Sequence, residues 1–254
     1  MLRYRLIRSS LRFATRIYSR VRVEGLENMP AGPAILCFSH QNWADPFYLF
    51  SSLPGRSRLY FFGPEQEDMT RGFRNRLMRW GGVAVPYQPG KRGLVAATRR
   101  VDALLEGGST IAIAGEGRIH AGEGLVLSLL EGPAYMAVRS GRPIVPIVIN
   151  GTSWLGFRRV VRMRIGRPIR PDRTSVRSGL RPDGRAAMLT AETHSALLAL
   201  VADFQDRTPP GRIGRWFTEL FNDWPEGSRP SLPPPRRQTG SAGESPGVDP
   251  HSGR

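Results

Sequence analysis

One cysteine, Cys37, and one lysine, Lys91, occur in 254 residues, and 21 acidic residues face 37 basic ones. A single cysteine excludes an intramolecular disulfide, and no Cys/His set has the spacing of a zinc site, so no metal and a reducing compartment are expected. No uncharged apolar run approaches the ~18–20 residues that cross a bilayer, so no transmembrane helix is expected. The N-terminus has neither a continuous apolar core nor a small-residue cleavage site and does not read as a secretory signal. Several catalytic signatures are missing too. There is no G-x-x-x-x-G-K-[ST] and no H-E-x-x-H, and Gly115 and Gly117 lack the third glycine of a dinucleotide fingerprint. Gly151-Thr152-Ser153-Trp154-Leu155 misses the closing glycine of a nucleophile elbow.

What is present is arginine. The net charge is +16 and the pI near 11.4, so the surface attracts polyanions: nucleic acid, anionic lipid or phosphorylated substrates. Hydrophobic residues at 40% against 23% charged are enough for a real core and exclude wholesale disorder. Residues 1–22 hold seven arginines and no acid. Arg8, Arg12, Arg16 and Arg20 recur at helical spacing, and Leu2, Leu6, Ile7, Leu11, Phe13, Ile17, Tyr18 and Val21 fill much of the remaining circumference. Such a segment reads as a basic amphipathic helix on a membrane surface, or as a helix packed on its own domain with solvated arginines.

Past Val23 short apolar runs alternate with helical patterns. Strands are expected at Ala34–Ser39, Leu59–Gly63, Gly82–Val85, Ser109–Ala114, Ile144–Ile149 and Arg159–Ile165. Helices are expected around Gly72–Trp80, across Leu94–Leu105, near Leu129–Arg139 and over Pro182–Asp206, the last burying Leu189, Ala196, Leu197, Leu200, Val201 and Phe204. This order predicts an α/β domain over 23–224, with helices covering a mostly parallel or mixed sheet. Residues 225–254 contain seven prolines, five glycines, five serines and no aromatic, and read as a nearly neutral disordered tail.

Two segments can carry chemistry. His40 follows the first core strand, where open α/β sheets place active sites, and Asp45 lies one turn further on. An Asp–His pair fixes the imidazole tautomer and stabilises the imidazolium, which makes His40 a candidate general base; the alternative is a surface histidine near a turn aspartate. In Gly115-Glu116-Gly117-Arg118, glycines let a phosphate approach the backbone and Arg118 offers a planar charged fork; the alternative is a charged turn with a Glu116–Arg118 salt bridge.

Taken together and in this order, the two segments resemble the glycerophospholipid acyltransferases, best known from the lysophosphatidate acyltransferases. The H-x4-D hallmark is matched by His40 and Asp45, the E-G-R-I block by Glu116, Gly117, Arg118 and Ile119, and a V-P-[IV] strand by Val145-Pro146-Ile147. The likeness spans roughly residues 20–170. It implies transfer of an acyl group from acyl-CoA or acyl-carrier protein to a lysophospholipid hydroxyl at the cytoplasmic face of an anionic membrane, with no cofactor. By the same resemblance His40 is the base, Asp45 its partner, Arg118 the phosphate clamp, and Glu116 an orienter of the acceptor or of that arginine. Two positions depart from the family pattern. Tyr87 stands where the family usually has a phosphate-holding arginine, and Lys91 and Arg92 follow closely to supply charge. Gly115 replaces the usual proline, which implies a looser loop. The competing readings are an acyltransferase for a lyso-ornithine lipid or glycolipid, and a basic nucleic-acid-binding protein. The latter lacks any helix-turn-helix, zinc or RNA-recognition signature, so no nucleic acid is expected as partner.

Overall fold

The computed structural model describes residues 2–64, 78–88, 90–120, 124–171, 182–201, 210–222 and 229. Seven strands, β1 (Ser19–Glu24), β2 (Ile35–Phe38), β3 (Leu59–Pro64), β4 (Ala84–Tyr87), β5 (Thr110–Ala114), β6 (Ile144–Asn150) and β7 (Arg159–Ile165), form one sheet. Its order is β1-β7-β6-β2-β5-β3-β4. All neighbours are parallel except β6 and β7, so β1 and β7 run against the other five. The carboxyl ends of β2, β3, β4, β5 and β6 and the starts of β1 and β7 therefore share one edge.

A sheet covered on both faces needs strands that are apolar throughout, and β2 and β6 are buried at every position. The two-residue period sorts their side chains. Leu36, Phe38, Ile147 and Ile149 pack with α1 (Leu2–Tyr18) and α2 (Asp45–Ser52) on one face. Ile35, Cys37, Ile144 and Val148 pack on the other with α3 (Lys91–Glu106), α4 (Gly132–Ser140) and α5 (Pro182–Val201). Pro146 is tolerated inside β6 because the ladder to β7 begins one residue later, at Ile147↔Ile165, and the Pro146 carbonyl accepts the Gly166 N–H at 2.8 Å.

The N-terminal helix expected over 1–22 ends at Tyr18. From Ser19 the alternation S-R-V-R-V-E, with β-branched Val21 and Val23 turned inward and Arg20 and Arg22 exposed, suits an edge strand and pairs with β7 from Ser19↔Arg159 to Glu24↔Arg164. One face of α1 is fixed on the domain: Tyr4 and Ile7 are buried, Tyr4 meets Phe50 edge-on at 5.1 Å, and Arg8 donates to the Leu53 carbonyl. Two helices escaped the periodicity, α2 and α6 (Arg212–Phe221). Of the helix expected at 72–80 only Met78–Trp80 is described, and it is helical there. Phe204 and, Arg229 apart, the tail 225–254 lie outside the described residues. Among the described residues no helix is long and apolar enough to cross a membrane.

Candidate active site

Beyond Phe38 the chain must turn sharply from β2 into α2, and Ser39 anchors the turn to β6. Its N–H donates to the Ile147 carbonyl at 3.0 Å, and its Oγ accepts the Ile149 N–H at 3.1 Å. Asp45 opens α2, where the helix N-terminus favours a negative charge. Its Oδ2 receives the N–H groups of Gln41 at 2.6 Å and Asn42 at 2.7 Å and lies 3.1 Å from His40 Nδ1. The carboxylate is fully buried and the His40 residue only 6% exposed. With Asp45 accepting at Nδ1, the proton belongs there, and Nε2 carries the lone pair that can act as a base.

The backbone of His40 is clamped from the β5 side. Its N–H donates to Glu116 Oε2 at 2.9 Å, and its carbonyl accepts the His120 N–H at 3.0 Å. The second oxygen of Glu116 accepts the Leu127 N–H at 3.0 Å and lies 2.9 Å from His120 Nε2. Glu116 is thus turned inward, onto the His40–Asp45 turn, and away from solvent. His120, which the sequence reading left out of the site, is its buried partner; the E-G-R-I-H spacing, four residues from carboxylate to imidazole, was the available signal.

Gly115 does not loosen its loop. Its N–H donates to the Phe38 carbonyl at 3.0 Å, a bond that proline cannot make, and a Cβ there would come within 2.6 Å of Cys37 Sγ and 2.9 Å of Leu129. The packing is tight because no side chain is present. Gly117 follows at φ +67°, the left-handed region that favours glycine. Cys37 beneath this loop is fully buried; burial, and secondarily the Glu116 charge, push its thiol up to about 12. It stays protonated and is no nucleophile.

The structure therefore joins His40, Asp45 and Glu116 in one hydrogen-bonded cluster. Arg118 is exposed on the same edge, outside the cluster, and Arg92 is exposed in the first turn of α3. Lys91 begins α3, but its side chain lies outside the description. Tyr87 stacks on Phe62 with ring centres 4.9 Å apart. From the far end of the chain α6 reaches the turn, Asn222 Oδ1 accepting the Trp43 N–H at 2.9 Å. Among the described residues no three His, Cys, Asp or Glu side chains converge as a metal site would.

Residues 20–150, just over half of the chain, match the sequence profile of the family described as Acyltransferase. A 1-acyl-sn-glycerol-3-phosphate acyltransferase from Pseudomonas aeruginosa is 26% identical over 226 residues, covering 81% of each chain. The crystal structure of the 1-acyl-sn-glycerophosphate (LPA) acyltransferase PlsC from Thermotoga maritima superposes with a TM-score of 0.58 at 22% identity, over 80% of this chain and 81% of that one, and so shares the fold. On the family match the chain belongs to the acyltransferase family and is an O-acyltransferase.

Proposed function

We propose that the protein transfers a fatty acyl group from acyl-CoA or acyl-carrier protein to the free hydroxyl of a lysophospholipid, 1-acyl-glycerol-3-phosphate above all, giving phosphatidate. The observation that carries this reading is the buried His40–Asp45 pair, whose geometry leaves Nε2 as the basic nitrogen. The acceptor oxygen attacks the thioester carbonyl as His40 Nε2 removes its proton. Asp45 stabilises the imidazolium, the C–S bond breaks, and the proton passes to the departing thiolate. No protein nucleophile is needed, which accords with a protonated Cys37. Arg118, aided by Arg92 and Lys91, holds the acceptor phosphate so that its hydroxyl reaches His40; such positioning lowers the entropic part of the barrier. Glu116 acts indirectly, by fixing the turn that carries His40.

The acceptor and product are membrane lipids, so the enzyme works as a peripheral protein at the cytoplasmic face. The outward stripe of α1 supports this: Leu2, Leu6, Phe13 and Ile17 lie within one narrow sector and are all at least half exposed, with exposed Arg5, Arg12 and Arg16 beside them. The deciding experiment incubates wild-type and His40→Ala protein with labelled acyl-CoA or acyl-carrier protein and a panel of lysolipids. Phosphatidate formed by the wild type alone is the expected product. Acylation of a lyso-ornithine lipid or a glycolipid in preference would reassign the acceptor, and no acylation of any lipid would end the proposal.

A further inference from the structure

We infer that α6, with the neighbouring loop that presents Phe157, is a second docking element that seats the catalytic edge on an anionic lipid bilayer. This rests on the lipid acyl transfer proposed above. Gly214, Thr218 and Asn222 fix the inner face of α6. Gly214 lies so close to the 154–156 loop that a Cβ would fall 2.0 Å from the Leu155 carbonyl oxygen. One turn on, the buried Thr218 hydroxyl accepts the Leu155 N–H at 2.8 Å, and a further turn on Asn222 accepts from Trp43. With Gly214, Thr218 and Asn222 pinned inward, the opposite arc must face out. It consists of Ile213 (78% exposed), Trp216 (59%), Phe217 and Leu220 (55%). An apolar arc of this size on a helix of about 15 Å has to be covered by something.

The same surface continues on both sides. Phe217 lies 5.8 Å from the half-buried Trp43 ring, three residues beyond His40. The loop between β6 and β7 exposes Phe157 (71%) beside Tyr18 at the end of α1. Arg158 follows in the left-handed region at φ 60°, unusual for a residue with a side chain, and donates its N–H to the Tyr18 carbonyl. A loop tip held in that conformation presents its aromatic ring outward.

Charge selects a bilayer as the occupant. Exposed Arg158, Arg212 and Arg215 border the apolar arc. The single acid of α6, Glu219, is neutralised twice, by Arg215 at 3.1 Å and by Arg229. An apolar face with an aromatic at its rim and cations along its border matches an anionic headgroup layer over acyl chains. Docked there, the sheet edge that carries His40 faces the leaflet that supplies the acceptor.

The test uses the full chain, in which Cys37 is buried and does not compete for labels. Trp216→Cys, carrying an environment-sensitive fluorophore, should shift to the blue on adding vesicles of phosphatidylglycerol and phosphatidylcholine; a label at Ala31→Cys, on the opposite edge, should not. Ile213→Glu combined with Leu220→Glu should lower vesicle cosedimentation by about tenfold or more and leave turnover of a soluble short-chain lysophosphatidate unchanged. A label at position 216 that stays in water while the protein is vesicle-bound would overturn the inference, and so would unaltered cosedimentation of the double variant. An oligomer dissolved by the double variant without loss of vesicle binding would give the face to a second copy instead. Lipid docking in a protein that acylates no lysolipid would uphold this inference and remove the proposed function, whereas acylation without docking would do the reverse.

Discussion

At the end of β2, His40 is held by Asp45 on its ring, Glu116 on its N–H and His120 on its carbonyl, all of them buried. At the start of α3 and beyond the end of β5, Arg92 and Arg118 stand in solvent. The two regions share one edge of one sheet and are built on opposite rules. Proton transfer needs its geometry before substrate arrives, because a base displaced by an ångström loses most of its advantage. Anion capture does not: a hydrated arginine waits at little cost and gains its partner only when phosphate comes, and exposed ion pairs add little to stability in any case. Damage to the first region should therefore appear in turnover, and in folding as well wherever a carboxylate that receives backbone N–H groups is lost, and damage to the second in acceptor affinity alone.

The sharpest break is at His40, the proposed base. His40→Ala should lower kcat by ~10²–10⁴, with an unfolding midpoint close to wild type, since the ring lies at a strand end and carries no ladder bonds. A variant that keeps most of its turnover would separate the buried cluster from the chemistry. Asp45→Asn should be similarly severe for the tautomer it imposes, with a stability cost in addition because Oδ2 receives two backbone N–H groups. Next comes Glu116→Ala, which strands the His40 and Leu127 N–H groups inside the loop. The buried His40 donor left without an acceptor costs ~1–3 kcal/mol, a loss that unfolding in urea should register together with reduced kcat. Glu116→Gln, which keeps one acceptor oxygen, should restore part of both. Wild-type stability in Glu116→Ala would place the clamp elsewhere.

This division also marks what was legible in the sequence. The six strands from Ala34 onward were readable because they are short apolar runs between turn residues, and the sheet could be inferred from their alternation with helices. The His40–Asp45 pair was readable because both members lie on one local turn. Glu116 facing inward was not, since its partners, the N–H groups of His40 and Leu127 and the ring of His120, are set by the parallel register of β2 and β5 and by a return of the chain. Edge strand β1 was hidden by arginines that continue the helical stripe into a segment whose valines alternate. Helix α6 was hidden differently: Gly214, Thr218 and Asn222 turn inward, while Ile213, Trp216, Phe217 and Leu220 face away from the core.

Arg118 tests the exposed side of the comparison. If it meets phosphate only in the complex, Arg118→Ala should raise KM for the acceptor by about tenfold or more, the range of a charge-assisted hydrogen bond, and spare KM for the thioester and the unfolding midpoint. Arg118→Lys should recover part of the affinity, because a point charge replaces the fork incompletely. An equal rise in both KM values, or a fall in stability, would move Arg118 from the acceptor to the scaffold.

The smallest effect belongs to the buried side and is read in alkaline solution. Burial raises the Cys37 thiol from 9.0 to about 12, and burial raises the Tyr48 hydroxyl from 10.0 to about 12 against the opposing hydrogen bond of Ser19. In the folded protein both groups keep their protons through this range, while the unfolded chain releases them. The unfolded state thus binds fewer protons above pH 9, and stability must fall as pH rises. The contribution of Cys37 is complete below 9.0 and declines toward about 12; that of Tyr48 declines from 10.0. Urea midpoints measured across this window should drop steadily, and Cys37→Ala, whatever its baseline, should show a shallower slope from its lower end. A maleimide should leave Cys37 unmodified in the native protein and react once urea unfolds it. Rapid labelling of the folded chain, or a slope unchanged by Cys37→Ala, would mean that the loop under Glu116 opens to water, and the rigid half of the edge would then be less rigid than the exposed half requires.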